Sequence, residues 1–383
     1  MVQCKPEQIL EAIPMVFTEV ERARRFGFTQ PEFDRLKERM IAGTESWYAE
    51  RDKRTNDYYV QNCIRHFLDE VDMMAPEKEY ELTLDIINSL TLDEINEVLP
   101  SLHREDNRVA VSFAPEREGA TYPGKNDIEM LLKMVGNARI SAYEDNAVDA
   151  PLLAEIPAGG KVVKTEEGKW GSTVWTLSNG IKVIVKPTDF QADAINLSGY
   201  KVGGTNRYPD SERVNIGMLS ALSSIGGFGA FDATQLSKKL AGCTASASVG
   251  TSAIYDIISA GCSPKDAEEM FQLLYLKYTS PRKDEQAFES YTTRMRNNLK
   301  DRNLNPNTAL NDTMVVALYG NHPRVKPFVA ADVDAVDYDR VLEIYKERTS
   351  DATGYQFFIV GNVDLESIKP LGERYIGGLP CNG

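Results

Sequence analysis

Histidine is scarce in this chain: His66, His103 and His322 are its only three in 383 residues. None lies between His103 and His322, so no helix in that interval can offer a pair of imidazoles one turn apart to a metal. Cysteine is also thin. The five (Cys4, Cys63, Cys243, Cys262 and Cys381) are scattered and never form C-x-x-C, which argues against a zinc ribbon or a redox pair and leaves packed or surface thiols. A disulfide between Cys243 and Cys262, which flank an expected hairpin, is the minor alternative. No run of about 18 apolar residues occurs, so no membrane span is expected. Positive charge is outnumbered, with 43 Lys and Arg against 57 Asp and Glu, a net charge of −14 that argues against a nucleic-acid partner. The opening MVQCKPEQILEAIPMVF interrupts with polar residues the apolar core a signal peptide needs. It enters a helical pattern almost at once, and the expectation is a chain cut from something longer.

What is present is an ordinary globular composition, 42% hydrophobic and 26% charged, long enough for two domains. The apolar spacing predicts helices over residues 8–26 (with Pro14 inside), 31 to the early fifties and 58–68. Thr29 and Glu32, then Thr91 and Glu94, are spaced as capping boxes. Residues 107–113 (NRVAVSF) alternate as a strand. From 116 to 162 glycine, proline and acidic residues dominate around one short helical piece at 128–134, which reads as an irregular linker. Strands are expected at 174–177 and 181–185, joined by Asn179-Gly180, and at 194–202. The apolar run VNIGMLSALSSIGGFG at 214–229 is the central helix, followed by a helix at 232–240 that Asp232 is placed to cap. A hairpin at 243–252 and 253–259 follows, then helices from 263 to about 278, at 284–301, 311–319 and 338–348, and a last strand at 356–360. Strands and helices in such blocks describe an α+β layered domain.

The chain also resembles itself at long range. Phe33, Arg39 and Met40 recur at one offset as Phe288, Arg294 and Met295, and the helix near 92–99 with the strand at 109–113 resembles 336–348 with 356–360. Residues 1–118 therefore read as the back half of the domain that 163–383 presents whole, with 119–162 as the linker.

The ordered set LSNGIKVIVK (177–186), GYKVGGTNRYPD (199–210), GGFGAFDATQLSKKLAG (226–242), LYGNHPR (318–324) and FIVGNVD (358–364) resembles the insulinase/pitrilysin family of zinc metallopeptidases, processing peptidases included. The resemblance implies repeated α+β domains, each an antiparallel or mixed sheet packed on helices. It further implies that the catalytic domain's zinc helix carries H-x-x-E-H, two ligands and a general base. Counting back from Gly227 puts Met218 and Leu222 at the histidine positions and Ala221 at the glutamate. The later glutamate ligand would fall near 295–298 (MRNN), which has no carboxylate.

The expectation is thus a non-catalytic segment of a larger zinc metalloendopeptidase. It would hold peptide or protein substrate by strand pairing in a chamber shared with the catalytic domain of the same parent chain. No catalytic or metal residue is assigned here, and zinc is expected in that other domain. The alternative is an inactive structural or assembly module of the same fold. For the parent the resemblance implies a bacterial envelope or periplasmic compartment. The resemblance gives His322 a place in a chamber-shaping loop, but a lone histidine reads first as structural. Gly203-Gly204 and Gly226-Gly227 match no phosphate loop and read as tight turns. The pairs Glu166-Glu167 and Glu268-Glu269 read as solvated.

Overall fold

The computed structural model describes residues 4, 8–102, 109, 111, 122–300 and 302–382. The chain divides into two units, Met1–Ile41 with Glu81–Asn146 and Ala42–Tyr80 with Ala147–Gly383.

The first unit is helical among its described residues. Helix α1 (Ile9–Phe26) runs through Pro14 and stops at Gly27, whose positive φ of 71° suits glycine. A Cβ there would lie 2.6 Å from the Asn96 side chain. That close approach lets Asn96 clamp the backbone of Phe28, accepting from its N–H at 2.8 Å and donating to its carbonyl at 3.2 Å. Thr29 and Glu32 then open α2 (Gln30–Ala49), the Glu32 carboxylate accepting from the Thr29 N–H at 2.9 Å and its hydroxyl at 2.8 Å. The chain then passes into the second unit for the end of α2, all of α3 (Asn56–Asp69) and the start of α4 (Pro76–Ser89); back in the first unit, Thr91 and Glu94 make a complete capping box for α5 (Leu92–Leu102). Helix α6 (Lys125–Asn137) packs on α1, and Arg25 caps its end by donating to the carbonyls of Gly136 at 2.7 Å and Ala138 at 2.8 Å. Helix α4 and the full length of α6 exceed what the periodicity predicts. The expected strand at 107–113 and His103 lie outside the described residues, Val109 and Val111 excepted.

The second unit is built on one seven-stranded mixed sheet in the order β1-β2-β3-β7-β4-β6-β5. Its strands are β1 (Val162–Glu167), β2 (Thr173–Leu177), β3 (Lys182–Pro187), β4 (Ile195–Val202), β5 (Ser246–Thr251), β6 (Tyr255–Cys262) and β7 (Gln356–Gly361). Only β3 and β7 pair in parallel; the other neighbours are antiparallel. The β2–β3 turn is the expected Asn-Gly one: Gly180 has φ 82°, and the Asn179 amide donates to the carbonyls of Ile376 and Gly377 at 3.1 Å each. Strand β1 gave no periodic signal because five of its six residues are exposed.

Alternation along the strands sorts the sheet into two faces. Trp175, Val183, Leu197, Ile258, Phe357 and Ile359 point inward and are almost wholly buried. They join a core with α9 (Ala267–Thr279) and α14 (Leu365–Leu371). A neighbouring cluster holds α7 (Arg213–Ile225) against α13 (Tyr338–Thr349), through Leu219, Leu222, Val341 and Tyr345 among others. Between α7 and α13 along the chain also come α8 (Ala233–Lys239), α10 (Glu285–Lys300), α11 (Pro306–Leu318) and α12 (Ala330–Asp334). Asp232 caps α8 as expected, in a reciprocal box with Gln235. The whole is an α+β layered arrangement with a mixed sheet.

Candidate functional site

The central helix α7 is where the resemblance places a zinc motif, and its two faces differ. Met218 and Leu222, one turn apart, point into the packed core against α13 and are essentially inaccessible. Ala221 is half-buried. A thioether, a methyl and an isobutyl group do not fit zinc, which takes imidazole, thiolate or carboxylate. Met295 of α10 is partly buried beside the same cluster, and Arg296 is ion-paired to Asp334 at 2.6 Å. Among the described residues no group of three His, Cys, Asp or Glu could hold a metal ion.

The other face of α7 opens on a cavity of about 210 Å³ closed by the β5–β6 turn and α13. Leu219, Ser220 and Ser223 line it from α7, Thr251 and Asp256 from the hairpin, and Arg348 from α13. The two serines are faintly marked in the sequence, by their i, i+3 spacing inside an apolar helix, the signal of a polar seam. Below them lies the most buried charge pair of the unit, Asp256 with Arg348. The Arg348 Nε donates to the Asp256 Oδ1 at 3.0 Å and Nη2 to Oδ2, a two-pronged bond. Asp256 is 1% exposed, and Thr251 also donates to its Oδ1 at 3.0 Å. The hydrogen bond to Asp256 raises the Arg348 pKa further above its ordinary value.

Gly203 makes room for this pair. A Cβ at that position would sit 2.6 Å from an Arg348 nitrogen and 2.7 Å from an Asp256 oxygen. The Gly-Gly turn is therefore a close approach of backbone to a buried ion pair, as well as a tight turn. Nearby, Tyr208 donates to Glu347 at 2.7 Å; burial and that carboxylate push the phenol up to about 12. The cavity's carboxylate and guanidinium are spent on each other. The Thr251 hydroxyl donates to Asp256, and the Ser223 hydroxyl reaches the Ser220 carbonyl at 3.5 Å. The arrangement can hold and shape; it offers no free base beside a nucleophile.

The LYGNHPR segment has a mechanical role in the structure. His322 accepts from the Arg324 N–H at 3.2 Å through Nδ1, and among the described residues it belongs to no metal-ligand cluster. Arg324 reaches back to Thr205–Asp210, donating to Asp210 Oδ1 at 2.6 Å, Asn206 Oδ1 at 3.0 Å, the Thr205 carbonyl at 3.2 Å and the Tyr208 carbonyl. Cys243 and Cys262 are both free thiols, and burial pushes Cys262 up to about 12, far from a reactive thiolate. At the sheet's rim, β5 pairs among the described residues only with β6, and its Ala247 carbonyl accepts from Lys277 Nζ at 2.7 Å.

No family model matches the chain. Its sequence is 24% identical over 366 residues to a zinc protease PQQL-like protein of Arabidopsis thaliana, covering 94% of this chain and 36% of that protein. It is 27% identical over 116 residues to the probable zinc protease PqqL of Haemophilus influenzae, covering 30% of this chain and 12% of that one. The fold matches the periplasmic protease PqqL from Escherichia coli with a TM-score of 0.56 at 19% identity, over 98% of this chain and 42% of that one. It also matches the ferredoxin protease FusC, crystallised with Arabidopsis ferredoxin, with a TM-score of 0.54 at 15% identity and the same coverage. The chain thus spans less than half the length of these relatives. In sequence the chain is thus similar to PqqL-like zinc proteases, and in fold it is similar to solved proteases that include PqqL.

Proposed function

We propose that this chain is a non-catalytic segment of a larger insulinase-type zinc endopeptidase, and that its second unit walls the chamber in which a peptide is held. The observation that supports this most is on α7. The positions that would bear H-x-x-E-H carry Met218, Ala221 and Leu222, and two of these are sunk in core rather than facing a cleft. The bounds proposed are residues 1–118 as the back half of one domain, 119–162 as linker and 163–383 as a complete domain lacking the zinc motif. Zinc would sit in a catalytic domain elsewhere in the parent chain, which is this segment's first partner.

Strand β5 supports the holding role. No strand lies beyond it among the described residues, and outside the Ala247 carbonyl, which already accepts from Lys277 Nζ at 2.7 Å, its edge can accept an extended peptide as an eighth strand through backbone hydrogen bonds. The first unit supports the fragment reading: Met15, Phe26, Leu36, Leu82, Val98 and Met134 are exposed on amphipathic helices. Such a surface fits helices that would meet a sheet from the same parent. The periplasmic relative makes the bacterial envelope the compartment proposed for the parent.

The test is elemental analysis of the purified chain after dialysis against excess zinc, with a quenched-fluorescent peptide assay beside it. Substoichiometric zinc and no cleavage are expected. One zinc retained per chain, or turnover abolished by a chelator, would overturn the reading. A parent protein that lacks any zinc site would leave instead the assembly module.

A further inference from the structure

The face of the sheet turned away from the core carries a charge pattern opposite to that of the chain. Strand register places Lys164, Thr176, Lys182, Gln356, Tyr200 and Ile257 in one row across the sheet. The next row is Glu166, Val174, Ile184, Phe358, Ser198 and Ser259, and Lys186, Val360 and Asn196 lie in a third. Phe358 and Val360 are each 37% exposed and Tyr200 43%, and the Tyr200 and Phe358 rings meet edge-on with centroids 6.3 Å apart. The one carboxylate in these rows, Glu166, is held by Lys164 at 2.8 Å. Lys182 contributes only a lesser attraction to Glu166, and Lys186 forms no ion pair among the described residues; its ammonium lies 3.5 Å from where a Gly171 Cβ would stand. So a chain of net charge −14 presents here two uncommitted lysines around an apolar floor.

Lys182 and Lys186 are four residues apart on β3 with Ile184 between, about 13 Å at the rise of an extended chain. An extended polypeptide laid on the face repeats that geometry, since its residues i, i+2 and i+4 point to one side at the same spacing. We infer that this face takes an extended acidic polypeptide segment of the pattern acid-x-apolar-x-acid, its carboxylates on Lys182 and Lys186 and its apolar side chain on Ile184 and Phe358. The inference rests on the chamber-wall reading and adds a substrate class to it. The β5 edge would read backbone and be indifferent to sequence, whereas this face selects by charge. Two isolated ammoniums make a poor track for a polyanion, whose affinity needs many phosphate contacts. An acidic peptide whose central residue also buries apolar surface matches both halves of the pattern.

The test uses the whole 383-residue chain and fluorescein-labelled peptides carrying Glu-Gly-Phe-Gly-Glu, its Gln-for-Glu counterpart and its Lys-for-Glu counterpart, read by anisotropy at low salt. The Glu peptide is expected to bind at least tenfold more tightly than the Gln peptide. Lys182→Glu with Lys186→Glu, both at exposed or half-exposed strand positions, should abolish that preference and transfer it to the Lys peptide, with the melting temperature as a check on folding. Equal binding of all three peptides, or a preference unchanged in the double variant, overturns the inference and leaves the chamber-wall reading standing on the strand edge. Failure to bind any peptide overturns both. Competition by phosphatidylserine vesicles or an oligonucleotide as effective as by the Glu peptide overturns the inference too, since the face would then be a general anion surface.

Discussion

Two runs of helices in this chain share an order and differ in burial. Helices α2 to α5 and α10 to α13 follow one another with similar turns, and Phe33, Arg39 and Met40 hold the places of Phe288, Arg294 and Met295. In the later run Phe288 stacks on Tyr338 with ring centroids 4.8 Å apart and planes 7° from parallel. In the earlier one Phe28, Phe33, Leu36 and Ile95 line an open groove of about 320 Å³. Helix α13 buries seven residues, among them Val341, Ile344 and Arg348, while α5 buries none. The sequences are amphipathic in both places; among the described residues, what differs is that the later run has a sheet and α7 to receive the apolar stripe. Amphipathicity fixes that a helix forms and which side it will bury, and the partner must come from elsewhere in the chain.

The comparison can be broken most severely at the buried ion pair. Asp256→Ala strands the Arg348 guanidinium in the core and should cost about 4 kcal/mol in urea unfolding. Leu222→Ala on α7 should cost about 3 kcal/mol through the cavity it leaves, whereas Val98→Ala on α5 should cost about 0.5 kcal/mol or less. Equal losses on the two helices would mean that α5 is as well packed as α7.

Acid probes the first unit. Hydrogen bonds from Arg24, and after them Arg25, hold the Glu21 carboxyl at about 2, against the opposing effect of burial. A carboxyl depressed in the folded state stabilises above its unfolded pKa and loses that contribution as pH falls through its folded value. Stability from Glu21 should therefore be full above about pH 5 and decline toward pH 2, by roughly 2 kcal/mol in all. Glu21→Gln should flatten that part of the profile in pH-dependent urea titrations. The smallest effect is expected on α3, where Phe67 is 84% exposed: Phe67→Ser should move stability by about 0.5 kcal/mol or less while raising solubility, measured by melting and light scattering.

Where one face of an element is buried, the sequence was readable. Strands β2, β3, β4 and β7 alternate because one side meets the core, and the Asn-Gly turn, the Thr91 box and the Asp232 cap are local devices with local signatures. Strand β1, exposed on nearly every side chain, carried no period to read. The site was legible only in part. The unusual residues of α7 were visible against a family pattern, but Ser220, Ser223 and the Asp256–Arg348 pair were not. That pair joins residues 92 apart in sequence, and nothing local announces it. The two lysines facing out of β3 were equally hidden, because a face exists only once strand register is known.

Arg324 has a consequence for how force and damage travel through the second unit. By gripping Thr205, Asn206, Tyr208 and Asp210 at once, it welds the loop after α11 to the turn after β4, 114 to 119 residues away along the chain. The two loops are then one mechanical body. A protease nick in either would leave the cut ends held in place by a side chain, and a push on one would be felt directly by the backbone that passes over the buried ion pair.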